Sequence, residues 1–186
     1  MNVGVVLPLM VVVLLGGCTH ALVLRMDWFP GLARVPLDLG RAIRGRRVFG
    51  ANKTFRGLAV MVGGTAGWAL VIFPRWPPGP DRSPLAWAGV GASLGLAYIV
   101  AELPNSFVKR RLGIAPGQEA SVLQRFIDEA DSVIGVTLAA AALLPLSGWD
   151  AVVLVVSGTA LHLLVDVALH LGGVKRSRSS PRSTPT

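Results

Sequence analysis

Five long apolar stretches, at positions 3–24, 58–73, 84–101, 132–146 and 151–174, take up about half of this chain of 186 residues. A helix needs about 20 predominantly apolar residues to cross the hydrocarbon core of a bilayer. The second and fourth stretches are short for that task, so their ends are expected to borrow flanking residues. Apolar residues make up 52% of the chain and charged residues only 15%, whereas an average soluble domain carries about 25% charged residues. The single cysteine, Cys18, excludes an internal disulfide framework and a thiolate metal cage. The sequence therefore predicts an all-α integral membrane protein with about five transmembrane helices.

Positive charge sets the expected orientation, because loops rich in Lys and Arg stay on the cytoplasmic side. Sixteen of the 18 Lys and Arg residues lie in the segments 25–57 and 102–131 and in the tail beyond 174; only Arg75 and Arg82 lie in the loop between the second and third stretches. This pattern places the N-terminus outside, the tail inside and both basic loops in the cytoplasm. Trp28, Trp76, Trp87 and Trp149 fall at proposed span ends, where indoles collect, and Gly63/Gly67 and Gly91/Gly95 supply small-residue spacing for close helix packing. The segment Leu15-Gly16-Gly17-Cys18 is similar to a lipoprotein processing site. It follows no positive n-region and is followed by more apolar residues, so the first stretch is read as an uncleaved span. Residues 1–174 form one polytopic membrane domain, and the basic, aromatic-free stretch 175–186 is expected to be disordered and to anchor the topology at anionic headgroups. The setting is the cell membrane, crossed several times.

The polar chemistry collects in the two inward loops. The first mixes Asp38, Gly40, Arg41, Arg44, Arg46, Arg47 and Gly50 with Asn52, Lys53, Thr54 and Arg56. Orientation bias explains scattered cations, but it has no need for Gly50, Asn52 and Thr54 among them. Glycines let backbone N–H groups approach an anion, and Lys and Arg add a point charge and a bidentate fork. A phosphate-bearing ligand is thus the sharper reading. The second inward loop contains Glu102, Ser106, Lys109, Arg110 and Arg111, followed by Asp128 and Asp131. On a helix, an i,i+3 spacing puts both aspartates on one face. Two readings follow: a magnesium site of one or two carboxylates completed by substrate phosphates and water, or an acidic helix start favoured by the helix dipole. Basic and acidic loops on one side of the membrane are the parts needed for phosphoryl or nucleotidyl transfer, where catalysis is positioning and charge neutralisation. His162, Asp166 and His170 share a face of the last apolar stretch and either face the site or hydrogen-bond between helices.

At these residues the chain resembles the CDP-archaeol synthases, small relatives of the membrane phosphatidate cytidylyltransferases. The resemblance rests on Asp38-Leu39-Gly40 with Asn52-Lys53-Thr54-Phe55-Arg56-Gly57, on Asn105-Ser106-Phe107-Val108-Lys109-Arg110-Arg111-Leu112-Gly113 with Asp128-Glu129-Ala130-Asp131, and on Ala160-Leu161-His162-Leu163-Leu164. It implies transfer of CMP from CTP to a lipid phosphate, using Mg2+, with a CDP-lipid and pyrophosphate as products. Asp128, Asp131 and Glu102 would then hold the metal, and Asp128, Asp131 and Lys109 would form the catalytic set. Asn52, Lys53, Thr54, Arg56, Ser106, Arg110, Arg111 and His162 would bind substrate. The implied partners are CTP, a lipid phosphate acceptor and membrane lipids, with no nucleic acid; a homodimer is left open. The chain departs from the family pattern at Ala101-Glu102, where Gly-Asp is usual, and at Asp166, where asparagine is usual. Two alternatives use the same loops: an enzyme acting on another isoprenoid or lipid phosphate, and a lipid-binding descendant without turnover.

Overall fold

The computed structural model describes residues 2–116, 118 and 121–171. The expected disordered tail, and the side chains of Asp166 and His170, lie outside what it describes. The order of elements is α1 (Val3–Arg25), α2 (Pro30–Ala33), β1 (Ala42–Ile43), β2 (Arg46–Arg47), α3 (Phe55–Ile72), α4 (Pro84–Arg111), α5 (Val122–Leu143) and α6 (Gly148–Leu171). Hydroxyl caps start three of the long helices. The Thr54, Ser83 and Ser121 side chains accept hydrogen bonds from the backbone N–H groups of Gly57, Ala86 and Gln124, satisfying donors that a first turn leaves unpaired.

Among the described residues, α1, α3, α4 and the first 18 residues of α6 are long and apolar enough to cross a membrane. The expected fourth span, 132–146, corresponds to the C-terminal half of α5, whose N-terminal half carries the acidic residues. Both α4 and α5 extend well beyond their apolar stretches, so much of what the sequence suggested as an inward loop is helix. Lys109, Arg110 and Arg111 occupy the last turn of α4, where cations complement the exposed carbonyls of the helix end. Gly113, with φ of 79°, then turns the chain in a left-handed conformation that suits glycine.

Lipid tails are as apolar as leucine, so helices in a bilayer gain little from hiding apolar faces and much from close contact. Here α4 approaches α3 through glycine. A Cβ on Gly91 would lie 2.4 Å from the Thr65 carbonyl oxygen, and one on Gly95 2.2 Å from Thr65 Oγ1. Gly135 of α5 meets α4 in the same way, 2.7 Å from the Ala97 carbonyl. Gly63 and Gly67, the other predicted packing pair, have nothing within 4 Å of a Cβ. The core between the helices holds Leu9, Val12, Met61, Leu94, Val136 and Leu154. Trp87, expected at an interface, is buried edge-on against Phe73 with centroids 5.2 Å apart.

Candidate active site

The first basic loop folds around a carboxylate. Asp38 is 5% exposed, accepts from the backbone N–H groups of Gly40, Phe49 and Gly50 at 3.0–3.1 Å, and pairs with the Arg47 guanidinium. Burial pushes its carboxyl up, but the Arg47 and backbone hydrogen bonds outweigh that and hold it well below the usual carboxylate range. The anion cradled by these loop glycines is therefore Asp38 itself. The β1–β2 hairpin is docked on the end of α4 by crossed arginines. Arg111 donates to the carbonyls of Ile43, Arg46 and Arg47 at 2.5–2.8 Å, while Arg46 donates to the Arg111 carbonyl at 2.5 Å.

That docking carries Asn52 and Lys53 against α4, where they help to line a chamber of about 240 Å³. Lys53 pairs with Glu102 of α4. About two turns further on, Lys109 Nζ lies 2.5 Å from Asp128 Oδ2 of α5. The i,i+3 aspartates share one helix face, as their spacing predicted; that face lines the chamber, and Asn105 bridges them: its Nδ2 donates to Asp128 Oδ1 at 2.7 Å and to Asp131 Oδ2 at 2.9 Å. Asn105 is itself oriented by Gln124, whose Nε2 donates to its Oδ1 at 2.8 Å. Ser132 Oγ lies 2.9 Å from Glu102 Oε1 and 3.1 Å from Asp131 Oδ1, so its single proton links those two carboxylates. Arg110 is 7% exposed, donates through Nη1 to the Ile114 carbonyl, and has an Nε without a hydrogen-bond partner among the described residues. A buried guanidinium with an unmet donor favours an anion beside it.

Nine of the predicted site residues line this chamber: Asn52, Lys53, Glu102, Ser106, Lys109, Arg110, Asp128, Asp131 and His162. Three have other positions. Thr54 caps α3, Arg56 reaches Asp27 at 2.5 Å and the Trp28 carbonyl at 3.2 Å, and Arg111 holds the hairpin. Sequence reasoning missed Asn105, Gln124 and Ser132 as the groups that tie the carboxylates together. It also missed Tyr98 and Glu129, which flank His162: Glu129 Oε2 is 2.6 Å from Nδ1, and the Tyr98 hydroxyl is 3.0 Å from Nε2. A signal for Tyr98 was available, since Tyr98, Glu102, Ser106 and Lys109 recur at helical spacing along one face of α4.

The donor set suits a hard divalent cation in part. Asp128 and Asp131 offer carboxylate oxygens, yet among the described residues no group of three or more His, Cys, Asp or Glu side chains is placed to hold a metal by itself. A shell of two carboxylates needs substrate phosphates and water to complete it, as magnesium sites usually have.

No model of a known protein family matches the sequence. Curated relatives do. The chain is 35% identical over 143 residues to a CDP-archaeol synthase of Thermofilum pendens, covering 75% of this chain and 64% of that protein. It is 34% identical to the Methanopyrus kandleri CDP-archaeol synthase over 73% of this chain and 75% of that one. For the Halobacterium salinarum CDP-archaeol synthase, identity is 32% over 75% and 81% of the two chains. A solved intramembrane enzyme of archaeal membrane lipid biosynthesis has the same fold, with a TM-score of 0.63 at 24% identity over 86% of this chain and 91% of that one. The chain aligns with these relatives over about three quarters of its length, and it belongs to the CDP-archaeol synthase family.

Proposed function

We propose that the chamber between α4, α5 and the loop before α3 transfers CMP from CTP to a lipid phosphate. Membership in the family makes the chain a membrane-embedded, CTP-dependent nucleotidyltransferase whose product is a CDP-lipid. The setting is the cell membrane, crossed five times with the N-terminus outside. The chamber then opens toward the cytoplasm, where CTP is available, as the positive-inside pattern supports. The observation that carries the reading is the convergence of two bridged aspartates, two lysines and a buried arginine on one polar chamber.

In the reaction an oxygen of the lipid phosphate attacks the α-phosphorus of CTP. The bond from that phosphorus to the oxygen bridging toward the β-phosphate breaks, and pyrophosphate leaves with the electron pair. Asp128 and Asp131, with Glu102 nearby, would hold Mg2+, which when bound neutralises phosphate charge. Lys109 and Lys53 rest on Asp128 and Glu102; with nucleotide present their ammonium groups turn to its phosphates. Arg110 supplies its unmet Nε–H to the same anion. Asn52 and Ser106 add neutral polar contacts at the wall. The bridged aspartates and Arg110 are held in place before substrate arrives and, of the cations, only the two lysine ammonium groups change partners, so most of the site is preorganised for a barrier dominated by charge.

The test is label transfer. With CTP labelled at the α-phosphorus, the purified protein in lipid vesicles should move label into the lipid fraction in the presence of magnesium and a lipid phosphate. With label at the γ-position, it should appear in pyrophosphate. Label that stays in water-soluble nucleotide for every ether- and ester-linked lipid phosphate would overturn the proposal.

A further inference from the structure

Two carboxylates are a short donor set for a cation that takes an octahedral shell of oxygens, and among the described residues no third His, Cys, Asp or Glu side chain completes a group with them. Glu102 stands nearby, but its Oε2 pairs with Lys53 and its Oε1 lies 2.9 Å from Ser132 Oγ. The side chain set between the aspartates is Asn105, with Nδ2 2.7 Å from Asp128 Oδ1 and 2.9 Å from Asp131 Oδ2. The other oxygen of each aspartate is held elsewhere: Asp128 Oδ2 meets Lys109 Nζ at 2.5 Å, and Asp131 Oδ1 meets the Ser132 backbone N–H at 2.6 Å and Oγ at 3.1 Å. The two oxygens aimed at Asn105 are therefore the pair a cation would bridge.

Charge decides which end of the Asn105 amide faces them. Ionised carboxylates only accept, so a carboxamide between two of them presents its NH2 end, as here. Beside a cation held by the same carboxylates, the NH2 end is repelled and the carbonyl oxygen attracted. A half-turn about χ2 exchanges the two ends almost in place; the torsion is soft and the backbone need not move. Gln124 allows the turn without a lost hydrogen bond. Its Nε2 donates to Asn105 Oδ1 at 2.8 Å and to Asp128 Oδ1 at 3.2 Å. When Nδ2 of Asn105 swings toward it, the Gln124 amide turns likewise and accepts through Oε1. The pair has two bonded arrangements, and the charge between the aspartates selects one.

On the basis of the proposed reaction, we infer that Asn105 is a third protein ligand of the divalent cation, binding through Oδ1 after a half-turn of its amide, and that Gln124 is the positioning residue that holds the turned amide. Carbonyl oxygen is a suitable donor for a hard cation. Without the cation, the same amide separates the two aspartates with its NH2 group, so both charges are tolerated on one helix face. Asn105 comes from α4 and the aspartates from α5, so the bound cation also ties these two helices together at the chamber.

Mn2+, which shares the preference for oxygen ligands and is paramagnetic, makes the ligand visible without turnover. The chain has three asparagines, Asn2, Asn52 and Asn105, and Asn2 stands before α1, where its N–H meets Asp150. In protein labelled with carbon-13 at the asparagine side-chain carbonyl and loaded with Mn2+ and CTP, electron–nuclear double resonance should show a carbon-13 hyperfine coupling. At matched Mn2+ occupancy the coupling should persist in Asn52→Ala and vanish in Asn105→Leu. No coupling in the labelled parent protein, or one that survives Asn105→Leu, would overturn the inference. Asn105→Cys, made with Cys18→Ser so that one thiol is present, should shift the preference for Cd2+ over Mn2+ by about tenfold or more and give a thiolate–cadmium absorption band, because thiolates select soft ions. An unchanged preference would count against position 105 as a ligand. Undiminished Mn2+ binding in Asp131→Asn would overturn the metal placement in the proposed reaction, and this inference with it. Binding that is lost in Asp131→Asn, with no carbon-13 coupling in the parent, would overturn this inference alone. A coupling from Asn105 in a protein that transfers no CMP would count against the reaction and leave the ligand standing.

Discussion

Two groups of cations lie within a few residues of each other, and their partners separate them. Lys53, Lys109 and Arg110 face the chamber, two of them paired with carboxylates on neighbouring helices and one with an unmet donor. Arg46, Arg47 and Arg111 instead spend their guanidinium groups on backbone carbonyls and on Asp38. Arg110 and Arg111 are adjacent in the Lys109-Arg110-Arg111 run yet belong to different groups, their side chains about 100° apart around the helix. The first group is arranged to exchange partners when an anion arrives. The second is tied to the loop's carbonyls and to Asp38, although Arg111 Nε, like Arg110 Nε, has no hydrogen-bond partner among the described residues, and it fixes the loop that brings Lys53 to the site.

The largest effect should come from the chamber. Lys109→Ala removes a charge where the transition state gathers negative charge, and kcat for CMP transfer should fall about 10²- to 10³-fold. Arg110→Gln should weaken CTP binding by about 10- to 100-fold, as expected for losing a charged hydrogen-bond donor; isothermal titration measures it.

Asp38→Ala sharpens the contrast from the other side. It strands Arg47 and three backbone donors, so the protein should lose about 3 kcal/mol of stability, seen as a lower unfolding temperature, with activity lost only through unfolding of the loop. The sign with pH follows from the depressed Asp38 carboxyl: its stabilisation is complete above the unfolded carboxylate value near 4 and disappears as pH falls through the lower folded value. Asp38→Ala should therefore flatten the acid-induced loss of stability seen in the parent chain. Arg111→Gln should lower the unfolding temperature modestly and change the KM for CTP by less than about threefold. Arg56→Gln is the smallest case. Its partner Asp27 has a 73% exposed side chain, and exposed ion pairs contribute at most about 1 kcal/mol; kcat and stability should both stay near the parent values.

Much of this arrangement was legible in the sequence. The apolar stretches located the helices, and the i,i+3 spacing of Asp128 and Asp131 put both carboxylates on the chamber face. The role of Thr54 was also within reach, because a hydroxyl just before an apolar helical run is a capping signal. What could not be read were the choices made by tertiary contact. Arg110 and Arg111 are the same residue type in the same charge run, and only the docked hairpin decides which one faces the chamber. Asp38 was read among residues for a phosphate-bearing ligand, yet the loop closes on Asp38 as its own anion. Asn105, Ser132 and Glu129 act through partners 23 to 33 positions away, a distance at which local pattern says nothing.

The most direct test of the central claim is the rate of magnesium-dependent pyrophosphate release from CTP, with and without lipid phosphate, for the parent protein and for Asp131→Asn. The account predicts release that requires both lipid phosphate and magnesium, prefers CTP over the other nucleoside triphosphates, and falls at least about 10²-fold in Asp131→Asn. Release independent of lipid, or undiminished in a folded Asp131→Asn protein, would contradict it.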